Sequence, residues 1–323
     1  MADADSAGHP RKDHLGLPAA ALLLSCCAFW GLQQVLVKAT LQEMPAAFQA
    51  MLRFAASTAC LMVWCRVRGI ALFERDGSLW PGLLVGVLFA GEMLCVFLGL
   101  QYIPASRLTV FLYASPLWAA LILPWVIRSE RLRALQWVGL LLAFMAVAYT
   151  LRDGLLRGQT EAQHWGDILG LASGLFWAMT TVTIRSSHRL MRASAEKLLF
   201  YQVACTAVAG GALSLILGDV WVSSFSPFGI TSLALQAVVG GFASYLVWMW
   251  MLGRYPATKI GAFALSTPVF ALIFGALWLG ETVHIELVAA LAAVIFGITL
   301  VNRKPAATPA TPPDAAAETT SAP

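Results

Sequence analysis

The chain has 323 residues, of which 59% are hydrophobic and only 12% are charged. A soluble domain carries about 25% charged residues, so a chain this apolar cannot cover a surface that faces water. The composition therefore excludes an ordinary soluble domain, and because no long polar stretch interrupts the apolar runs, we expect the whole fold to lie in the bilayer. The net charge of +4 is spread over short loops and does not indicate a nucleic-acid partner.

Ten apolar runs follow one another along the chain. An α-helix needs about 20 apolar residues to cross a hydrocarbon core about 30 Å thick, and all but the short fifth and tenth runs meet that length comfortably. The runs cover residues 18–39, 46–65, 81–103, 106–127, 134–151, 166–184, 195–217, 229–252, 258–279 and 284–301. The sequence therefore predicts an all-α polytopic membrane protein with about ten transmembrane helices.

Polar or low-complexity segments flank and divide these runs. Residues 1–16 are polar and mixed in charge, and residues 303–323 are rich in Ala, Pro and Thr. Neither segment can bury enough surface to fold, so both are predicted to be disordered. A linker over residues 153–165 separates a first five-helix repeat, 17–152, from a second, 166–302.

Lysine and arginine are distributed unevenly between the two sides that ten alternating spans define. Sixteen of the 21 lie in the tails and in the loops after even-numbered spans. The exceptions are Arg53, inside the second span, and Lys38, Arg107, Arg152 and Arg157 on the opposite side. Because short loops rich in Lys and Arg stay in the cytoplasm, the pattern predicts a multi-pass protein of the inner (plasma) membrane with both termini cytoplasmic.

The two sets of five runs share sequence features in the same order. Phe29-Trp30 and Lys38 match Phe176-Trp177 and Arg185 at identical spacing. Later matches are the turns at Pro104 and Pro256, the prolines Pro116 and Pro268 after Ser or Thr, and Glu130 with Glu281. Since five is an odd number, the second set must enter the membrane from the opposite side. Such inverted repeats permit alternating access, so the pattern indicates a transporter.

With these features the chain resembles the drug/metabolite transporter superfamily, and within it the EamA-type permeases with two five-helix repeats. The residues that carry the resemblance are Phe29-Trp30-Gly31, Phe176-Trp177-Ala178, the turns at Pro104 and Pro256, the pairs at Pro116 and Pro268, and Gly280-Glu281. The resemblance spans about residues 18–302. It implies a transporter of amino acids, metabolites or drugs, more often an exporter than an importer, and leaves the substrate open.

Two ionisable side chains fall inside predicted spans, Arg53 in the second and Glu92 in the third. A charge at the bilayer centre costs about 2.5–3.5 kcal/mol on insertion scales and therefore needs a partner or water. Glu92 could line a central cavity and there bind a substrate amine or take up a proton. Alternatively, Arg53 is its charge partner in a purely structural ion pair, or Arg53 reaches a membrane interface. The sequence leaves these interpretations open.

Polar and aromatic side chains on other spans are further candidates for a substrate pathway, because an amide or hydroxyl in hydrocarbon needs a partner. That partner could be cavity water, substrate or a neighbouring helix. With Glu92, the predicted pathway residues are Trp30, Gln33, Gln34, Tyr113, Trp118, Trp177, Thr181, Tyr201, Ser244 and Trp248. Pro116 and Pro268 are predicted hinges, because proline removes a hydrogen bond within a helix; a static kink is the alternative.

We therefore expect a secondary transporter that exports small organic solutes by alternating access, and proton coupling through Glu92 is a hypothesis. The alternative is a membrane-embedded enzyme acting on a lipid-like substrate, but the sequence contains no HExxH, GxSxG or Asp-rich motif. No catalytic residue, cofactor or metal site is predicted, and the six cysteines show no metal-ligand spacing. The expected partners are the solute, the lipid bilayer and protons, with no nucleic acid; a homodimer is left open.

Overall fold

The computed structural model describes residues 16–126, 137–139, 141–142, 145, 160–221, 225–255 and 263–301. The regular elements in these ranges are helices, and no β-strand occurs among them. The helices are α1 (Leu17–Thr40), α2 (Ala46–Arg68), α3 (Leu79–Gly99), α4 (Ala105–Leu112), α5 (Ser115–Val126), α6 (Glu161–Ser186), α7 (His188–Arg192), α8 (Ala195–Leu217), α9 (Pro227–Ala234), a π-helical segment (Leu235–Ala243), α10 (Ser244–Arg254), α11 (Thr267–Leu279) and α12 (Ile285–Val301). The prediction of an all-α chain is confirmed for the described residues.

Within the described residues, seven helical stretches are long and apolar enough to cross a membrane. Five are the single helices α1, α2, α3, α6 and α8, and two are composite, Ala105–Ile122 and Pro227–Met251. The apolar helices α11 and α12 are shorter, with 13 and 17 residues. Most of the predicted fifth span, 134–151, lies outside the described residues, as do the tails 1–15 and 302–323, so the count of ten spans stays a prediction.

Helix α6 begins at Glu161, five residues before the predicted sixth span. The cause is a capping box, in which the Thr160 side chain accepts the Gln163 backbone N–H at 3.4 Å and Gln163 Oε1 accepts the Thr160 N–H at 3.1 Å. These bonds satisfy N–H groups that have no partner within the helix. A hydrophobicity criterion misses this start because the first turn is polar, and α6 therefore includes the end of the segment predicted as a linker.

The fourth span is discontinuous, and the described part of the ninth has a matching break. Helix α4 ends before Tyr113 and α5 begins after Ala114, whereas a turn at Leu265–Ser266 precedes α11. Pro116 and Pro268 are each the second residue of the helix that follows. At that position the missing N–H of proline costs nothing, because the first turn has no intrahelical acceptor for it. Each proline therefore starts a new helix and does not kink a continuous one.

Helix contacts repeat between the two halves of the chain. Helix α1 packs against α11, and its counterpart α6 packs against α4 and α5. Helix α2 packs against the π-helical segment, and its counterpart α8 packs against α3. The equivalent helices α2 and α8 also contact each other, as do the equivalent helices α4 and α11. Each contact therefore has the same counterpart when the first half is exchanged for the second. The first two helices of each half thus pack on the third and fourth spans of the other.

Contacts between loops and helix ends fall into two separate groups. In the first group, Ser226, before α9, donates to Glu43, after α1, at 2.6 Å, and Lys38 at the end of α1 donates to the loop between α3 and α4. In the second, Lys197 at the start of α8 donates to Asp76, between α2 and α3, at 2.8 Å. This grouping is the one that alternating spans require, because loops after odd-numbered and even-numbered spans lie on opposite sides.

Candidate functional site

A cavity of about 210 Å³ lies inside the helix bundle. Its wall is formed by side chains of α1, α2, α3, α4 and α6, together with α8, α10 and the residues at the break before α11. Both halves of the chain therefore contribute to a single site. The cavity is bounded by the same helices whose contacts repeat between the halves.

Most of the predicted pathway residues meet in this cavity. The predicted pathway residues that line it are Trp30, Gln33, Gln34, Glu92, Tyr113, Trp177, Thr181 and Trp248, and Arg53, predicted as the charge partner of Glu92, lines it as well. The helical periodicity of α1 and α6 brings this about, since one helical face presents residues three or four positions apart to the same neighbour. The structure therefore brings side chains that are far apart in the sequence, from both halves of the chain, to one place.

Three predicted pathway residues do not line the cavity. Tyr201 points away, and its hydroxyl lies 3.2 Å from the Ser78 hydroxyl near the loop between α2 and α3. Ser244 lies behind the wall, where it accepts a hydrogen bond from the indole N–H of Trp30 at 2.8 Å. Trp118 lies in α5 beyond the helix break and is absent from the cavity lining. The pathway prediction for these three residues is not supported by their positions.

Further lining residues are Thr180, Gln202 and Thr267, which the sequence also indicates as polar candidates beside a pathway residue or a predicted hinge. The apolar lining residues Phe89 and Met249 were not predicted. Phe89 could have been found from its position three residues before Glu92 on one helical face. Met249 offers no such signal, because a cavity-lining methionine in an apolar helix looks like a packing residue.

Aromatic rings form two groups in the wall. The Trp30 ring centroid lies 5.1 Å from that of Trp248 and 5.8 Å from that of Tyr245. In the second group, Tyr113 and Trp177 meet edge to face at 5.2 Å. Such pairs add about 0.5–1.5 kcal/mol beyond the area they bury, so the rings hold one another in place. The cavity wall therefore contains two groups of mutually packed aromatic rings.

Glu92 and Arg53 are both buried in the cavity wall, with 4% and 1% of their surfaces exposed. Oε2 of Glu92 has no hydrogen-bond partner among the described residues, and neither do Nε and Nη2 of Arg53. The Arg53 guanidinium lies over the rings of Phe54, at 4.8 Å, and Phe97, at 5.6 Å. No salt bridge joins Glu92 to Arg53, so the structural ion pair that the sequence left open is not formed.

Other polar atoms of the cavity wall are also unsatisfied. Oε1 of Gln33 and Oε1 of Gln34 are buried and have no partner in the described part of the chain. Buried polar groups are almost always hydrogen-bonded, because leaving one unpaired costs about 1–3 kcal/mol. A concentration of such groups around one cavity indicates that water or a ligand completes their hydrogen bonds.

The two helix breaks border the cavity and pack against equivalent positions. A Cβ atom on Gly174 of α6 would lie 2.7 Å from the carbonyl oxygen of Phe111, so only glycine permits this approach. At the corresponding place in the other half, the thiol of Cys27 in α1 donates to the carbonyl oxygen of Phe263 at 3.3 Å. The opening helix of each half thus covers a backbone carbonyl at the break of the opposite half.

This architecture defines a class: a multi-pass α-helical membrane protein with a cavity that is lined by side chains of both halves of the chain. The sequence matches the EamA-like transporter family over residues 17–152 and 164–303, once in each half. The chain therefore belongs to that family of membrane transporters, and the resemblance seen in the sequence is confirmed.

Relatives with related names match most of the chain. A protein of Salmonella typhimurium called "Probable amino-acid metabolite efflux pump" is 28% identical, with 81% of this chain and 87% of the relative covered. An "Uncharacterized transporter" of Archaeoglobus fulgidus is 26% identical over 80% of this chain and 89% of its own length. The "Uncharacterized inner membrane transporter YedA" of Escherichia coli is 23% identical, with 88% and 91% covered.

A solved crystal structure also has the same fold. It aligns with a TM-score of 0.61 and 20% sequence identity, covering 88% of this chain and 97% of its own. At this identity the similarity supports the fold alone. The fold is thus shared over nearly the whole length of the solved chain.

Proposed function

We propose that this protein is a secondary transporter that exports small organic solutes, such as amino acids, metabolites or drug-like amphipathic compounds. The observation that carries the proposal is the cavity between the halves, in which Glu92, Arg53, Gln33 and Gln34 have buried polar atoms without protein partners among the described residues. Charged side chains at membrane depth are expensive and typically mark substrate or ion pathways. A static helix bundle would gain stability by pairing or removing these groups.

We infer alternating access as the mechanism, with the halves acting as inverted repeats. Two observations support this mechanism. The helix contacts of one half recur in the other, and the loop contacts fall into two groups, as alternating spans require. Discontinuous helices at the repeat interface are a recurring feature of transporter binding sites. The breaks before Pro116 and Pro268 are therefore the hinges of the proposal, because a gap in the helical hydrogen bonds costs less to bend than a continuous helix.

The solute class and the direction come from the relatives. Two of them, from Salmonella typhimurium and Escherichia coli, are called probable amino-acid metabolite efflux pumps, which favours amino-acid-like solutes and outward movement. The excess of Lys and Arg on one side favours an inner-membrane protein with cytoplasmic termini. The packed aromatic rings of the cavity wall suit a solute that has an apolar part.

Proton coupling is assigned to Glu92 in this proposal. A carboxyl group without a protein partner, buried in a cavity, can exchange a proton with whichever side of the membrane the cavity faces. Protonation removes the cost of a buried charge, so the proton would favour the state in which no solute cation occupies the site. Exchange of proton for solute would then couple export to the inward proton gradient.

The test is solute counterflow in proteoliposomes with four radiolabelled probes: L-phenylalanine, L-threonine, glucose and tetraphenylphosphonium. We expect at least one probe to accumulate above the level of protein-free liposomes, and accumulation to respond to an imposed pH gradient. Glu92→Gln should abolish the response to pH, whereas Glu74→Gln, which changes an exposed loop carboxylate, should not. Failure of every probe to move would overturn the transporter proposal, and a pH response that survives in Glu92→Gln would overturn proton coupling at this residue.

A further inference from the structure

We propose that the solute is a zwitterion, and that Arg53 binds its anionic group while Glu92 binds its ammonium group. This inference rests on the transport function proposed above and narrows it to a substrate class. Its basis is that two side chains of opposite charge line one small cavity without pairing with each other or with any other described residue.

Arg53 requires an anion. A guanidinium remains protonated in proteins, so it cannot escape the cost of burial by losing its proton. The Phe54 and Phe97 rings partly compensate the charge, but they accept none of its N–H groups. The unused Nε and Nη2 donors are adjacent on the guanidinium edge that binds a carboxylate through two parallel hydrogen bonds. A carboxylate is therefore the complementary ligand group.

Glu92 requires a proton or a cation. It lies in α3 and lines the cavity that Arg53 of α2 also lines, yet its Oε2 has no donor among the described residues. A solute ammonium group would supply both the charge and the hydrogen bonds. When no solute is bound, a proton can take its place. The binding of ammonium and the binding of a proton at Glu92 thus exclude each other, as exchange requires.

The composition of the rest of the cavity lining favours a solute with two opposite charges over a solute with one. Apart from Tyr113 and Tyr245, Glu92 and Arg53 are the ionisable side chains in the described lining of the cavity. A solute with only one charge would leave the other buried group unpaired, which strongly weakens binding. A neutral solute would leave both unpaired. The aromatic walls at Trp30 and Trp177 would contact the uncharged remainder of the molecule.

The experiment compares three forms of the same compound, for both L-phenylalanine and L-alanine. The free amino acid carries both charges, its methyl ester carries only the ammonium, and its N-acetyl derivative carries only the carboxylate. Dissociation constants are measured on detergent-purified protein by thermal shift and by competition in counterflow. For at least one of the two series, we expect the free amino acid to bind about tenfold or more tightly than either derivative.

The variants assign each charge to its residue. Glu92→Gln should weaken binding of the amino acid and of the methyl ester but not of the N-acetyl derivative. Arg53→Gln should weaken binding of the amino acid and of the N-acetyl derivative but not of the methyl ester. If Arg53→Gln does not fold, Arg53→Lys keeps the charge, loses the planar fork and should weaken only the carboxylate-bearing probes. Glu74→Gln and Arg66→Gln, at exposed positions, are the matched controls.

Two kinds of result would overturn the inference. One is binding of all three forms with similar constants, or equal weakening of all probes by both variants. The other is transport of glucose or tetraphenylphosphonium with no binding of either amino acid, in which case the transporter proposal stands and the zwitterion assignment is wrong. If none of these compounds is bound or moved, the transporter proposal itself fails.

Discussion

The carboxylate of Glu281, which follows α11 in the second half, accepts the backbone N–H of Ala105 at the start of α4 in the first half, at 2.6 Å. Its other oxygen accepts hydrogen bonds from the hydroxyl of Ser106, at 2.7 Å, and from the backbone N–H of Ser106, at 3.2 Å. The ammonium nitrogen of Lys38 lies 3.8 Å from the oxygen that accepts the Ala105 N–H. One side chain therefore caps a helix of the opposite half and joins the two halves on the side of the bundle where Lys38 lies.

Replacing this carboxylate should destabilise the protein. Glu281→Gln keeps the shape of the side chain but removes the negative charge that favours the α4 N-terminus, and its NH₂ group would face an N–H donor. We expect a loss of about 2 kcal/mol in the free energy of unfolding, a typical value for a hydrogen bond to a charged group. Denaturant unfolding in detergent measures it, with Glu74→Gln as control. Equal stability of the two variants would show that the cap contributes nothing.

A second contact between the halves joins Arg107 of α4 to Asp167 of α6. Nε and Nη2 of Arg107 each donate to a different carboxylate oxygen at 2.7 Å, and the Asp167 side chain is 4% exposed. Asp167→Ala would remove both of these charge-assisted hydrogen bonds, and we expect the free energy of unfolding to fall by about 3 kcal/mol. Arg107→Lys should cost less, because it keeps the charge and loses only the two-point geometry. Unfolding curves that rank the variants in the reverse order would contradict this interpretation.

Close packing of α3 on α8 depends on a glycine. A Cβ atom on Gly86 would lie 2.5 Å from the backbone oxygen of Tyr201 and from the sulfur of Cys205, and the backbone cannot yield as a side chain does. We expect Gly86→Ala to cost about 1–3 kcal/mol, the range for overpacking. Gly211→Ala is the matched control, because its new Cβ meets only the flexible Met51 side chain, at 3.1 Å. The melting temperature should fall in the first variant and not in the second.

Asp76 should make the protein sensitive to acid. The hydrogen bond donated by Lys197, followed by those from Ser78, holds the pKa of the Asp76 carboxyl well below its ordinary value. A lowered pKa in the folded state means that the stabilisation is present above the unfolded-state pKa of about 3.9 and is lost as pH falls towards the folded-state pKa.

The measurement is the melting temperature of wild type and Asp76→Asn between pH 7 and pH 3. We expect a constant difference in favour of the wild type from pH 7 to about pH 4.5, and a shrinking difference below that, because the two proteins become alike once Asp76 is protonated. The same comparison is then made between Lys197→Met and the double variant Lys197→Met/Asp76→Asn. In that background most of the difference in melting temperature should disappear. A gap that persists unchanged at pH 3 would show that charge is not its cause.

Much of the architecture follows from the sequence because it depends on local composition. Whether a 20-residue segment enters a bilayer is decided by the transfer of its own side chains, so the spans at α1, α2, α3 and α8 were predictable to within a few residues. The repeated Phe-Trp pairs, at Phe29-Trp30 and Phe176-Trp177, likewise revealed two related halves. Aromatic and amide residues at mid-span predicted most of the polar cavity wall, because hydrocarbon leaves such groups few other places.

The tertiary structure decided what depends on residues far apart in the sequence. That Glu92 and Arg53 share a cavity without pairing, that Ser244 lies behind Trp30, and that Tyr201 turns towards Ser78 are all set by how helices rotate against one another. The cap from Glu281 to Ala105 joins positions 176 residues apart. Hydrophobicity cannot specify such contacts, since many helix rotations bury similar apolar area; shape and hydrogen-bond geometry at the interfaces select one of them.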